Sequence, residues 1–201
     1  MIINKKIKRT MVESKSQYFG SLVLIILSCL LYTMFNLLSL NMSRLSTSFE
    51  KDYKQEDANF IAGSRLGNLE ALEARFNMSL EETKTLDYAV SEDKTLRIFS
   101  ENKKVNIPAV IEGTSLKGSN ILLDPAYAKA NKIKLGDNIK LYNKTFSVSG
   151  FMSLPNYIYP LRTEADIMND PKNFGLAVIG KADFEGLNKS RKASRRDVNI
   201  F

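Results

Sequence analysis

The chain has 201 residues, a formal net charge of +7, 44% hydrophobic and 25% charged residues, no histidine, no tryptophan and one cysteine, Cys29. That length holds one domain of ordinary size plus an appendage, and the composition is globular rather than disordered. The inventory excludes histidine-based triads, zinc centres made of His and Cys clusters, and any internal disulfide.

The positive charge sits at the two ends. Residues 1–15 carry a net of +4 and residues 181–201 a net of +3, whereas residues 44–180 hold 18 basic and 18 acidic side chains. A nucleic-acid groove needs its excess on the folded body, so nucleic acid is not an expected partner.

Residues 1–15 form a basic segment in which Ile3, Ile7 and Met11 recur every four positions. Two readings fit: an amphipathic stretch lying on an anionic inner leaflet, or a plain basic flank that sets membrane orientation. Between Lys15 and Arg44 there is no charged residue, and Leu22 to Leu40 is densely apolar. About 20 apolar residues cross a hydrocarbon core of roughly 30 Å, so residues 16–43 are read as a transmembrane helix. A secretory signal has a shorter apolar run of about 7–15 residues and a small-x-small cleavage site, which Leu-Ser-Leu-Asn-Met does not supply. The basic flank stays in the cytoplasm, which puts residues after about 44 outside, with Tyr18 at the inner interface.

On a helical wheel Ser21, Ser28, Tyr32 and Asn36 form one narrow stripe, with Leu, Ile and Val around the rest. Small and polar residues on one face suit helix–helix packing in lipid. The alternative puts Asn36 among the outer headgroups and makes the serines incidental.

Leu45, Phe49 and Tyr53 keep the every-four spacing, so the helix is expected to continue as a stalk over 44–57. An α+β extracytoplasmic domain is expected over 58–187. Its elements begin with a short strand at Ala58–Ala62. A helix follows, capped by Asn68, carrying Leu69, Leu72 and Phe76 on one face and ended by Asn77. Leu96 and Ile98 alternate with polar neighbours, and Val105, Ile107, Ala109 and Ile111 read as a strand, with Pro108 marking it as an edge. Ile121–Leu123 is a short strand, and Asp124-Pro125 opens a helix to about Ala130 that Asn131 ends. Gly136-Asp137 turns the chain into a hairpin of Ile139 and Leu141 against Phe146 and Val148, joined near Asn143-Lys144. Pro155, Pro160 and Pro171 punctuate a loop before a last strand, Leu176–Ile179. Residues 188–201 read as a basic, disordered tail.

No catalytic or metal site is read from the chain, and no cofactor is expected on it. Gly113 to Gly118 lacks the Gly-Lys-Ser/Thr of a phosphate loop, and Ser115 and Ser149 have no histidine base. Asp166, Asn169 and Asp170 do not have the spacing of a twelve-residue calcium loop, and helix capping before Pro171 is the simpler role. Phe151, Tyr157 and Tyr159 gather around the proline loop, either as an outward partner-contact surface or as rings packed beneath it.

The order of a basic flank, a first membrane helix, and an outer domain containing LLDPAYAKANKIKLGDNIKL and KTFSVSGFM resembles the permease subunits of the MacB/FtsX-like ABC transporter family. The likeness rests on Leu135-Gly136-Asp137 leading into Ile139–Leu141, then Phe146, Val148, Gly150 and Phe151, and spans about residues 5–185. It implies an extracytoplasmic core domain inserted after the first membrane helix, and at least four such helices in all. It also implies a cytoplasmic ABC ATPase partner that binds the ATP, and a second permease copy. After Ile179 no second apolar run is found, so the chain is expected to be the N-terminal portion of such a permease, contributing to export or release of a substrate. The alternative is a single-pass, membrane-anchored extracellular binding protein without transport activity.

Overall fold

The computed structural model describes residue 9 and residues 12–60, 67–163 and 165–197, with backbone alone from 190 to 197. The chain divides into two units, Met1–Phe49 and Glu50–Phe201. The expected amphipathic pattern of Ile3, Ile7 and Met11 lies outside the described residues.

The described residues of the first unit are almost all in helix α1, Lys15–Asp52, whose 38 residues run into the start of the second unit and bury no side chain. At 1.5 Å per residue it is about 57 Å long, well beyond a hydrocarbon core. Among the described residues it is the one helix long and apolar enough to cross a membrane. The expected membrane span and stalk are therefore one continuous helix, ending at Asp52 rather than near Asp57. It stops where Lys54 turns left-handed, at φ 52°.

The second unit is a mixed α+β domain built on a seven-stranded sheet. In chain order it holds α2 (Leu69–Phe76), β1 (Thr85–Ala89), β2 (Thr95–Ser100), β3 (Ala109–Gly113), β4 (Asn120–Leu123), α3 (Pro125–Ala130), β5 (Asn138–Leu141), β6 (Lys144–Ser153), β7 (Phe174–Ile179) and α4 (Lys181–Asp197). The strand order is β1-β2-β7-β4-β6-β3, with β5 beside β6. β2 runs parallel to β7 and β4 parallel to β6, while the other pairs are antiparallel. β5 and β3 share one edge of the long β6, pairing with Lys144–Ser147 and Gly150–Ser153 respectively.

Alternation assigns the core to the two faces of this sheet. Ile121, Leu123, Ala177, Ile179, Leu96 and Ile98 fall in one cluster, where Tyr127 of α3 and Phe184 and Leu187 of α4 cover them. Leu122, Leu176, Val178 and Phe99 fall in the other, with Met152, Leu154, Phe174 and the half-buried Tyr157. One face is thus roofed by helices, the other by the chain that follows β6. All six residues of β7 are buried, which explains why Phe174–Ile179 reads as an unbroken apolar run.

Local chemistry sets the element ends. Asn68 Oδ1 accepts the N–H of Ala71 at 3.1 Å, and Asn77 closes α2 in the left-handed region at φ 50°. Asp124 Oδ2 accepts the N–H of Tyr127 at 2.8 Å, with Pro125 in the first turn of α3. Burial pushes the Asp124 carboxyl up, and the N–H groups of Tyr127 and Ala126 offset only part of that.

Three expectations are corrected. The strand expected from Val105 begins only at Ala109, because Asn106 is left-handed at φ 51° and the N–H groups of Asn106 and Ile107 bond Lys54 and Tyr53. Ala58–Phe60 is irregular, and the remainder of that expected strand lies outside the described residues. The segment expected to be a disordered tail is helical as far as Asp197, with the rest outside the described residues. Phe184 and Leu187 anchor α4 on the sheet, and the Lys, Arg and Ala that follow are good helix formers.

Gly175 marks the closest approach between sheet and helix. A Cβ there would lie 2.3 Å from Cγ of Tyr127. We expect Gly175→Ala to cost roughly 1–3 kcal/mol in chemical denaturation. In a Tyr127→Ala background, which removes Cγ and Cδ2 but keeps the Cβ at 2.6 Å, the added cost of Gly175→Ala should fall without vanishing, and strict additivity of the two would contradict this contact.

Candidate functional site

The polar stripe on α1 is satisfied within the helix. Ser21 Oγ donates to the carbonyl of Gln17 at 2.9 Å, Ser28 Oγ to Leu24 at 2.8 Å and Asn36 Nδ2 to Tyr32 at 2.9 Å. Thr33 Oγ1 does the same to Cys29 at 2.7 Å. Such back-bonding lets polar side chains reside in lipid without a partner. The Tyr32 ring is exposed. What the stripe can still offer a neighbouring helix is its small size at Ser21 and Ser28 and the remaining acceptor of Asn36.

Where the chain leaves α1 it is fastened to the loop between β2 and β3. The carbonyls of Tyr53 and Lys54 accept the N–H groups of Ile107 at 2.9 Å and Asn106 at 2.8 Å. The side chains repeat the exchange: Glu56 N–H donates to Asn106 Oδ1 at 3.0 Å, and Asn106 Nδ2 donates to Glu56 Oε2 at 2.7 Å. Glu56 Oε1 accepts from Asn59 at 3.0 Å and from Asn156, just beyond β6, at 3.3 Å. Asn106 is buried, so its amide is committed to this junction.

The same β2–β3 loop is held from the other side by Glu81. Its carboxylate accepts the N–H groups of Lys103, Lys104 and Val105 at 2.7–3.1 Å, and Lys181 Nζ at 3.0 Å. Burial would raise the Glu81 carboxyl, but these donors outweigh it and hold it below the usual carboxylate range. Glu73 is also lowered, first by the N–H of Leu80 and then by Lys104.

A groove of about 350 Å³ beside Glu81 is lined by Lys84, Lys103, Lys104 and Lys181 among others. Each lysine faces a glutamate: Glu185 at 3.2 Å, Glu101 at 3.8 Å, Glu73 at 3.1 Å and Glu81 at 3.0 Å respectively. With Glu82 also lining it, the groove holds no excess of positive charge and gives an anion no net attraction. Asp166 and Asp170 cap turns, accepting the N–H groups of Thr163 and Lys172. Among the described residues no three metal-ligating side chains converge.

The expected aromatic cluster is taken apart by the sheet. Phe151 packs with the helix-covered cluster, whereas Tyr157 packs on the opposite face, edge-to-face with Phe99 at 5.3 Å. Only Tyr159 stands outward, its hydroxyl accepting the N–H of Asn169 at 2.9 Å. The same loop exposes Ile158 by 84%, Ile167 by 92% and Met168 by 77%, side chains that the sequence reading did not single out. Their signal was available as apolar residues between prolines, but nothing periodic marks an irregular loop. Arg97 ties this loop to the sheet: it pairs with Asp87 at 2.8 and 2.9 Å, donates to the carbonyl of Arg162 at 3.1 Å and lies over the Phe174 ring.

No family model matches the chain, and comparison with curated proteins and with solved structures finds no match either.

Two predictions follow from the β2–β3 loop. Asn106→Gly should destabilise the domain by roughly 1–3 kcal/mol through loss of both bonds to Glu56, and Asn106→Ala by about 1 kcal/mol more, from the left-handed backbone. Equal stability of the two variants in denaturant titration would contradict the backbone contribution. Because Glu81 is lowered in the folded state, its contribution is complete above about pH 4.5 and is lost as pH falls through the lower folded value. Glu81→Gln should therefore be less stable at pH 7 and lose less stability on acidification. A parallel acid limb for the two proteins would contradict the pairing.

Proposed function

We propose that this chain is the N-terminal part of an ABC transporter permease subunit of the MacB/FtsX-like kind. In this reading α1 is the first membrane helix, the N-terminus is cytoplasmic, and the unit Glu50–Phe201 is the extracytoplasmic domain. The observation that carries it is the helix itself: α1 has no charged residue between Lys15 and Arg44, follows a flank of net +4, and leads into an α+β domain. The permease assignment rests on the resemblance of the Ile121–Met152 segment, whose motifs are those of strand, helix, turn and hairpin.

The ATP is bound by a cytoplasmic partner ATPase, and a second permease copy or further permease helices complete the membrane part. The stripe Ser21, Ser28, Tyr32 and Asn36 is the packing face toward those helices. Movement of α1 on nucleotide turnover enters the outer domain at Tyr53–Glu56. The Asn106 bonds pass it to the β2–β3 loop, and Asn156 passes it to the chain after β6.

The test is in the membranes of the protein's own host. Crosslinking and purification through a tag on this chain should recover an ABC ATPase and polytopic membrane protein, and Asn36→Leu or Ser28→Leu should reduce that recovery severalfold. Recovery of this chain alone would contradict the permease reading, and unchanged recovery with the variants would contradict the packing face.

A further inference from the structure

We propose that the cavity where β2 runs into the β2–β3 loop binds one internal water molecule, held by the side-chain carbonyl of Asn102. Asn102 is 6% exposed, and its amide is half satisfied. Nδ2 donates to Thr83 Oγ1 at 2.8 Å, whereas Oδ1 is buried and has no hydrogen-bond partner among the described residues. A buried amide oxygen left unpaired is costly, and folded proteins supply a donor to nearly all such groups.

The backbone donors around Asn102 are committed elsewhere. The N–H of Ser100 bonds the carbonyl of Lys84, and that of Glu101 the carbonyl of Ile179. Glu81 holds the N–H groups of Lys103, Lys104 and Val105, while Lys54 and Tyr53 accept those of Asn106 and Ile107. The side-chain amides of Asn106 and Asn156 donate to Glu56. The donor that Oδ1 lacks therefore comes from outside the chain.

The cavity against Asn102 has a volume of about 10 Å³, with Thr83, Ser100, Asn106, Asn156, Phe99 and Val178 in its lining. That is room for a single water and little else. No charged side chain lines it, so a cation would be desolvated there without a counter-charge, and a neutral donor is the chemistry that fits. A water donating to Asn102 Oδ1 has the hydroxyls of Thr83 and Ser100 in the same lining for its remaining bonds. It ties together the residues before β1, the start of the β2–β3 loop and the chain after β6. The loop whose later residues Glu81 and Glu56 hold is then held at its start as well.

The test is a pair of crystal structures, of the full chain and of its Asn102→Leu variant, at a resolution that shows ordered water. Leucine keeps the size of the side chain and removes the acceptor. The native chain should show a peak about 2.7–3.2 Å from Asn102 Oδ1 with a second polar contact, and the variant should lose it. No peak in the native chain overturns the proposal, and a peak that persists in Asn102→Leu overturns the role of Asn102. Contacts of about 2.3–2.6 Å to several oxygens mark a cation and overturn the choice of water. The native chain alone gives a readout that needs no variant to fold. In NMR spectra the Asn102 side-chain amide protons should show cross-relaxation with a long-lived water, and its absence would also overturn the site.

Discussion

β7 is buried from Phe174 to Ile179, and a strand buried on both sides must be covered twice. Everything else in the domain follows from how that is done. The parallel pairing with β2 and the antiparallel pairing with β4 put β7 at the centre. On one face Tyr127, Phe184 and Leu187 bring α3 and α4 down on Ala177 and Ile179. On the other, Leu176 and Val178 are sealed by Phe99, Leu154 and Tyr157, residues of a neighbouring strand and of irregular chain. Irregular chain can cover a sheet only if its backbone groups find partners, and here Arg97, Asp166 and Asp170 supply them. A loop ordered in that way can hold apolar side chains outward, as Ile158, Ile167 and Met168 are held.

A second constraint acts where the chain enters the domain. The β2–β3 loop has no ladder to satisfy it between Glu101 and Pro108, and two glutamates take that role from opposite ends. Glu81 collects three successive N–H groups, and Glu56 exchanges two hydrogen bonds with Asn106. The loop is thus a fixed piece of structure, and the residues that follow α1 are bonded to it rather than tethered loosely. The contact of Asn156 with Glu56 joins the apolar loop to the same point. Three segments distant in sequence meet at one carboxylate.

Much of the fold is legible in the amino-acid sequence because its signals are local. The uncharged run after Lys15, the Asn68 and Asn77 caps, Asp124-Pro125, and the alternation from Ile139 to Val148 each lie within one continuous stretch of chain. They correspond to α1, α2, α3 and the β5–β6 hairpin. What is illegible is non-local. Glu56 and Asn106 are separated by 50 positions, and this pairing, with the bonds of Asn106 and Ile107 to Lys54 and Tyr53, keeps the apolar alternation around Val105 from becoming strand. The aromatic residues near Pro155 look like one cluster in sequence, yet Phe151 on β6 and Tyr157 in the irregular chain beyond it pack on opposite faces of the sheet. The basic end of α4 reads as disorder by composition, because the two side chains that anchor its start, Phe184 and Leu187, lie several residues before it.

The central claim is that α1 crosses a membrane and carries the sheet domain on the outer side. Membrane-impermeant maleimide applied to intact cells tests it most directly, using the full chain with Cys29→Ser and one new cysteine at either Lys5 or Lys117. Lys117 is exposed in the loop before β4. The account predicts rapid labelling of Lys117→Cys in intact cells and labelling of Lys5→Cys only after lysis. Labelling of both positions only after lysis, or of Lys5→Cys alone in intact cells, would contradict it.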